Sequence, residues 1–230
     1  MAKAKILIIE DDRSLIGVLE YNLHNVGYEV FCATDGQQGL DQARLQMPQL
    51  IILDLMIPVV DGLEVCRRLR SIPETVKIPI LMLTAKGEES DQLIGFSVGA
   101  DDYVVKPFSV KILLERVKSL LRRQNQTQTI GSDLVTRGGV TIDRIKHRVS
   151  MAGESIDLTP SEFRLLDTLI RQPGRAFDRS ELIDSALGGD TLVLERTIDV
   201  HIRSLRKKLG EDNKLIQTVR GIGYRFREGS

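Results

Sequence analysis

Five short apolar runs divide the first half of the chain at regular intervals. They are KILIIE, YEVFCA, LIILD, IPILML and DYVVK. Between them lie stretches with apolar residues at helical spacing, such as Leu15, Leu19 and Leu23. Strands that alternate with helices predict a parallel sheet covered on both faces, and such strands are apolar throughout. The first half is therefore predicted to be an α/β domain.

The second half of the chain has a different pattern. Its first part, GGVTIDRIKHRVSMAGESIDL, alternates as short antiparallel strands. Thr159 and Glu162 have the spacing of a capping box, which predicts that a helix begins there. Further helices are predicted over 179–187 and 193–209, before a hairpin in LIQTVRGIGYRF. This order of elements predicts an α+β domain.

A polar segment, RRQNQTQTIGSDL, separates the two patterns and has no periodic apolar positions. Such a composition is typical of a linker. We therefore predict domains over residues 1–122 and 135–230, joined by a flexible linker over 123–134. The net charge of the whole chain is zero, but residues 1–122 sum to −3 and residues 123–230 to +3. The basic excess thus lies in the second domain.

The composition is that of an ordinary globular protein, with 42% hydrophobic and 28% charged residues. Cys32 and Cys66 have no CxxC or histidine-rich context, and we interpret them as packing residues in a reducing cytosol. The N-terminal apolar run ends in acids and lacks a cleavage site for a signal peptidase, and no run is long enough to span a membrane. We expect a cytoplasmic protein that does not contact the membrane.

Polar residues end the predicted strands of the first domain. They are Glu10, Asp11, Asp12, Asp54, Thr84 and Lys106. Ligands of open α/β sheets bind at the carboxyl ends of the strands, so these side chains are expected to meet. Clustered carboxylates suit a hard divalent cation such as Mg²⁺, and a carboxylate can attack phosphorus to give an acyl phosphate. Taken singly, Asp54 or Thr84 could instead be a helix cap and Lys106 a surface lysine, but their joint position at strand ends favours chemistry.

The motifs IIEDD, LDLMIPVVDG, LTA and GADDYVVKPF resemble the receiver domain of bacterial two-component response regulators, over residues 3 to 122. The resemblance implies a doubly wound, flavodoxin-like sheet with strand order 2-1-3-4-5. It also implies that Asp54 is the phosphoacceptor, that Thr84 contacts the phosphoryl group and that Lys106 neutralises it. The Mg²⁺ ligands would be Asp11, Asp54 and the backbone carbonyl of Met56, with Glu10 supporting the metal through water. Tyr103 is either a partly buried aromatic of an edge strand or a switch whose ring follows Thr84.

The predicted helix 193–209 has two distinct faces. Leu194, Ile198, Ile202, Leu205 and Leu209 form one apolar stripe. At about 100° per residue, Arg196, Val200, Arg203 and Lys207 fall almost opposite, with Thr197 and Ser204 at the margin. A solvated charged face is the ordinary explanation. The basic hairpin that follows, with Arg220 and Arg225, favours a nucleic-acid interface instead.

The motifs RTIDVHIRSLRKKLG and TVRGIGYRF resemble the winged helix-turn-helix domain of OmpR/PhoB-type regulators, over residues 135–228. The resemblance implies that the helix enters the major groove of DNA and that Arg220 enters the adjacent minor groove. Family members closest in pattern have an arginine at the position of Ser204. A serine discriminates poorly among bases, so we expect a different preference there.

The whole chain is thus predicted to be a transcription regulator that a sensor histidine kinase activates by phosphorylating Asp54. The resemblance further implies contact with RNA polymerase and binding to direct repeats of double-stranded DNA as a homodimer. The dimer face would be formed by the last strand and last helices of the receiver, pairing Asp101 with Arg116 and Asp102 with Arg123.

Two other functions are compatible with parts of the pattern. A metal-dependent phosphatase that forms an aspartyl phosphate would need a second aspartate two residues after the nucleophile, where this chain has Met56. A receiver-type interaction module without DNA binding would leave the basic helix and hairpin without a role. The receiver is not expected to be an enzyme beyond its own phosphorylation and dephosphorylation.

Overall fold

The structure is a computed structural model of the 230-residue chain and describes residues 3–85, 98–125, 134–186, 196–210 and 214–228. The chain divides into two compact units, Met1–Arg123 and Gln124–Ser230. Each unit is described by itself below. Within the described residues, no helix is both long enough and apolar enough to cross a membrane.

The first unit is built on a parallel five-stranded sheet. Its strands are β1 (Lys5–Ile9), β2 (Glu29–Ala33), β3 (Leu50–Asp54), β4 (Ile80–Ala85) and β5 (Asp102–Lys106). Their order is β2-β1-β3-β4-β5, so the predicted order is confirmed. Every residue of β3 is buried. That burial explains why this strand is apolar up to its final aspartate.

Helices cover this sheet on both faces. They are α1 (Arg13–Val26), α2 (Gly36–Gln46), α3 (Gly62–Arg70) and α4 (Val110–Asn125). Ile8 of β1 belongs to one core cluster with Leu19 of α1 and Val117 of α4. The next residue, Ile9, packs closely against Gly39 of α2, because successive side chains of a strand point to opposite faces.

The ends of these helices follow from local sequence. Asp12, Asp35 and Asp61 each accept hydrogen bonds from backbone N–H groups of the first turn that would otherwise have no partner. Gly27 ends α1 in the left-handed conformation, with φ of 101°. One boundary differs from the prediction, because α4 continues through residues 123–125, which were assigned to the linker. Arginine and glutamine are good helix formers, so polarity alone does not end a helix there.

The second unit combines two antiparallel sheets with three described helices. Its elements are β6 (Leu134–Arg137), β7 (Val140–Asp143), β8 (Arg148–Met151), β9 (Glu154–Ile156), α5 (Pro160–Arg171), β10 (Phe177–Asp178), α6 (Arg179–Ala186), α7 (Arg196–Leu209), β11 (Ile216–Val219) and β12 (Gly223–Phe226). The sheet orders are β6-β7-β8-β9 and β10-β12-β11. Strands β6 and β10 were not predicted, because β6 is mostly exposed and β10 has only two residues.

The capping box and the apolar stripe of the second unit are as predicted. Thr159 and Glu162 exchange both hydrogen bonds of the box, with Pro160 at the first helical position. The stripe residues Ile198, Ile202, Leu205 and Leu209 are buried in the core of this unit. Leu194 lies outside the described residues. The stripe fixes which side of α7 faces outward.

Candidate functional site

Two carboxylates and an ammonium group meet at the carboxyl edge of the parallel sheet. Asp54 ends β3, Glu10 follows β1 and Lys106 ends β5. Asp54 lies opposite Leu83, the residue before Thr84. Glu10 and Asp54 are 1% and 4% exposed, so both acids are enclosed. Parallel strands thus bring together residues that are up to 96 positions apart.

The ammonium of Lys106 bridges these two carboxylates. Its Nζ donates to Asp54 Oδ2 and to Glu10 Oε2, each at 2.7 Å. Burial raises the pKa of Glu10 above its usual value, in spite of the hydrogen bond from Lys106. Burial alone would lower the pKa of Lys106, but its hydrogen bonds to Asp54 and Glu10 outweigh that effect and raise it. Lys106 is therefore charged at neutral pH and offsets part of the negative charge.

The backbone after Asp54 is tightly packed around the site. The N–H of Met56 donates to Asp54 Oδ1 at 3.2 Å. Gly62, the first residue of α3, donates its N–H to the carbonyl of Leu55 at 3.1 Å. A Cβ atom on Gly62 would lie 2.2 Å from the carbonyl oxygen of Asp54, which no side chain can do. Only glycine fits at this position, and the close approach holds the end of β3 in place.

Glu10, Asp11 and Asp54 form a group that could hold a metal ion. Each offers a carboxylate oxygen, and these oxygens lie within 4.8 Å of one another. Oxygen ligands of this kind suit Mg²⁺. Three carboxylates face one ammonium, so an excess of negative charge is left for a divalent cation to neutralise. The remaining predicted ligand, the carbonyl of Met56, belongs to a residue that is 76% exposed.

Thr84 and Tyr103 lie on neighbouring strands. Thr84 is buried near the end of β4, and it pairs in register with Val105. Tyr103 pairs with Met82 and is also buried, on the edge strand β5. This position agrees with both interpretations of Tyr103, as a packed aromatic and as a switch.

The acids predicted for a dimer face have partners within their own chain. Asp101 is fully buried, and its Oδ2 accepts hydrogen bonds from Arg70 Nη2 at 2.8 Å and from the N–H of Ile80 at 2.9 Å. Asp102 accepts from Arg116 Nη1 at 2.8 and 2.9 Å. The surface position predicted for Asp101 is therefore corrected: its carboxylate turns inward to the start of β4. The side chain of Arg123 lies outside the described residues.

The outward face of α7 contains the centre of the predicted DNA surface. Arg203 and Lys207 are exposed and Val200 is partly exposed. Within the described part of the chain, neither Arg203 nor Lys207 forms an ion pair. Arg220 is exposed in the turn between β11 and β12. The side chain of Arg196 lies outside the described residues.

The two margin residues of α7 point away from this face. Thr197 is only 1% exposed. Ser204 donates its hydroxyl to Glu162 Oε1 at 2.5 Å, and Lys208 donates to Glu162 Oε2 at 2.7 Å. The predicted base-facing position of both margin residues is therefore corrected, because they lie where the helix meets its own domain.

A network around Tyr224 was not predicted. The Tyr224 hydroxyl and Arg179 Nε both donate to Asp199 Oδ1, at 2.7 and 2.9 Å. Arg206 donates to the carbonyl of Ile216, and its guanidinium lies over the Tyr224 ring. These contacts join α6, α7 and the hairpin. The helical angle of Arg206, on the hairpin side of Arg203, is the signal that could have separated it from the DNA face.

Known proteins similar to this chain agree with this geometry. The model "Response regulator receiver domain" matches residues 6–118, and "Transcriptional regulatory protein, C terminal" matches residues 153–226. A relative from Rhizobium meliloti (strain 1021), "Phosphate regulon transcriptional regulatory protein PhoB", is 47% identical over 222 residues, or 96% of this chain and 97% of its own.

Solved structures agree over the full length. A mutant of the regulator RitR is 27% identical, with a TM-score of 0.81, and the alignment covers 98% of this chain and 100% of that one. The response regulator DrrB of Thermotoga maritima, described as an OmpR/PhoB homologue, is 30% identical with a TM-score of 0.51, covering 99% and 100%. Both domains thus have known counterparts in the same order.

Proposed function

The chain belongs to the OmpR/PhoB family of two-component response regulators, and we propose that Asp54 is the residue whose phosphorylation activates it. As a member, it is a DNA-binding transcription regulator and not a classical enzyme. The contact between Lys106 Nζ and Asp54 Oδ2, at 2.7 Å, is the observation that supports Asp54 most directly. It places a fixed positive charge beside one buried carboxylate at the ligand-binding edge of the sheet.

The transfer needs little chemistry from the protein beyond position and charge. A carboxylate oxygen of Asp54 attacks the phosphorus of a phosphohistidine on a histidine kinase, the P–N bond breaks and a P–O bond forms. The ammonium of Lys106 would then neutralise a phosphoryl oxygen, and the Thr84 hydroxyl would donate to another. In this proposal Tyr103 follows Thr84 and transmits the change along β5.

The residues present fit a bound Mg²⁺. Asp11, Asp54 and the carbonyl of Met56 would hold it, with Glu10 supporting it through water. The metal would supply positive charge against the phosphoryl oxygens. The three clustered carboxylates, with their excess of negative charge over Lys106, are the support for this assignment.

Phosphorylation by acetyl phosphate with Mg²⁺ tests the assignment of Asp54. We expect intact-protein mass spectrometry to find one hydroxylamine-sensitive phosphoryl group on the wild-type chain and none on Asp54→Asn. Asp61→Asn is the matched control, because Asp61 caps α3 in the same loop and asparagine caps helices equally well. Equal labelling of Asp54→Asn and wild type would refute the assignment.

For DNA, we propose that α7 enters the major groove with Val200, Arg203 and Lys207 toward it, and that Arg220 enters the minor groove. The exposed positions of these residues support this orientation. Arginine reads guanine by paired hydrogen bonds, so Arg203 is the expected base reader. Arg196 would extend the same face at its N-terminal end. DNA lies in the bacterial cytoplasm, so the protein would act there.

We also propose that phosphorylation produces a homodimer on direct repeats that contacts RNA polymerase. Asp102 and Arg116, with side chains 2% and 14% exposed, are already paired within one chain. A dimer through this face would share that pair between two copies or pack around it. Sedimentation of phosphorylated wild type and Arg116→Glu tests the face, and dimers unaffected by the substitution would refute it.

A further inference from the structure

Glu162 has more partners than its capping role requires. The capping box accounts for the N–H of Thr159, which donates to Glu162 Oε2 at 2.8 Å. Two further donors come from α7: the Ser204 hydroxyl at 2.5 Å and the Lys208 ammonium at 2.7 Å. Ser204 and Lys208 are one helical turn apart, so they contact one carboxylate from the same side of α7.

This carboxylate is well suited to hold a second helix. Glu162 is only 3% exposed, and a buried carboxylate is costly unless it is paired and hydrogen-bonded. An ionised carboxylate has about four acceptor positions, and these three donors occupy most of them. Lys208 supplies the opposite charge. Loss of either α7 contact would leave the buried acid less satisfied, so the contacts favour one rotation of α7 about its axis.

The rotation of α7 decides which side chains can reach DNA. At about 100° per residue, Ser204 and Lys208 lie about 100° and 140° around the helix from Arg203. Lys207 lies only about 40° from Arg203 and shares its exposed face. The side of α7 that holds Ser204 is thus turned to α5, and the exposed side centres on Arg203.

We propose that Ser204 is a positioning residue for DNA recognition and does not read a base. Through Glu162, Ser204 and Lys208 set the rotation at which Arg203 and Lys207 meet the major groove. The base preference of the chain is then determined by the face of Arg203, and the position that an arginine would read in related proteins is left without a direct contact. This inference rests on the proposed orientation of α7 on DNA.

Selection from a random library of DNA duplexes with the full-length chain, followed by affinity measurements on the selected sequence, tests this inference. We expect Ser204→Ala to select the same bases as wild type but to bind the site roughly 3- to 10-fold more weakly, since it loses one hydrogen bond to a charged group. Ser204→Thr, which keeps the hydroxyl, should restore the affinity. Arg203→Ala should change the selected bases. Ser155→Ala is the matched control on exposed β9, and should behave as wild type.

A double-variant cycle separates positioning from a general loss of stability. Glu162→Gln has a single carbonyl oxygen for three donors, so it should weaken binding, and adding Ser204→Ala should weaken it by less than the two effects combined. A change of the selected base in Ser204→Ala, or no rescue by Ser204→Thr, would overturn the inference and leave the DNA-binding function intact. A wild-type chain that selects no sequence would refute the proposed orientation and this inference together.

Discussion

The guanidinium of Arg70 and the carboxylate of Asp101 form an ion pair of 2.8 Å in which the two side chains are 8% and 0% exposed. Arg70 also donates to the carbonyls of Val76, Ile78 and Gly99 at 2.7 to 2.8 Å. One side chain at the end of α3 therefore holds both the loop before β4 and the segment before β5. Asp101 in turn accepts from the first N–H of β4, so the pair links two strands of the functional edge.

Arg70→Met should destabilise the protein strongly, because it leaves the buried carboxylate of Asp101 without its charge partner. Removal of one partner from a buried pair costs about 3–5 kcal/mol. Urea unfolding of the full-length chain would measure this loss. Arg68→Met is the matched control on the same helix, since Arg68 pairs with Glu64 at the surface, and it should unfold close to wild type. Equal midpoints for the two variants would contradict this account.

Gly62→Ala should displace the end of β3, because the added Cβ would meet the carbonyl oxygen of Asp54 at 2.2 Å. Overpacking against backbone costs about 1–3 kcal/mol or more. We expect reduced stability together with loss of labelling by acetyl phosphate. Gly17→Ala is the opposite case: no atom lies within 4 Å of its added Cβ, and it is exposed within α1. It should stabilise the chain by about 0.5–1 kcal/mol and leave labelling unchanged.

Sequence patterns predicted those parts of the molecule that depend on nearby residues. The strand β3 was recognised from its apolar run, and the capping box of Thr159 and Glu162 from a spacing of three. The strand-end carboxylates were grouped correctly because parallel strands end at one edge. These features need only the periodicity of a strand or helix and the general rule for open sheets.

The features that were missed join residues far apart in sequence. Arg70 and Asp101 are 31 positions apart, and Glu162 and Ser204 are 42 apart. A helical wheel places Ser204 at the margin of α7, but only the packing of α5 decides that its hydroxyl turns inward. Likewise, two adjacent acids were both assigned to the surface, although the chain turns Asp101 toward β4. Side-chain direction at such margins depends on tertiary contacts that periodicity does not contain.

The cysteines should react slowly in the native protein. Burial raises the pKa of the Cys32 thiol to about 11, with a contribution from Glu20, and burial raises that of Cys66 to about 11. Only the thiolate is alkylated, so iodoacetamide at pH 8 should react roughly two hundred times more slowly than with an unperturbed thiol of pKa about 8.5. The rate should rise about tenfold for each pH unit below 11.

The same shift predicts a pH dependence of stability. A thiol pKa that is raised by folding favours the native state while the thiol is protonated, and this contribution is lost as the pH rises from about 8.5 through the folded value. Mass spectrometry after timed alkylation would follow both cysteines, with urea-unfolded chain as the control. Rapid labelling of the native chain at pH 7 would contradict the packing role assigned to them.

Lys207→Ala should weaken binding to all DNA sequences alike. Lys207 is exposed beside Arg203 on α7, and a lysine without a bidentate geometry is expected to neutralise a phosphate and not to read a base. Each such contact contributes about 0.9 to the slope of log affinity against log salt concentration, so the slope should fall by about one. Lys146→Ala is the matched control, because Lys146 is as solvated but lies in the turn between β7 and β8, near Asp143. Fluorescence anisotropy at several salt concentrations, on the selected site and on a scrambled duplex, measures both slopes. A slope that falls for Lys146→Ala and not for Lys207→Ala would mean that the DNA-binding face lies elsewhere on this domain.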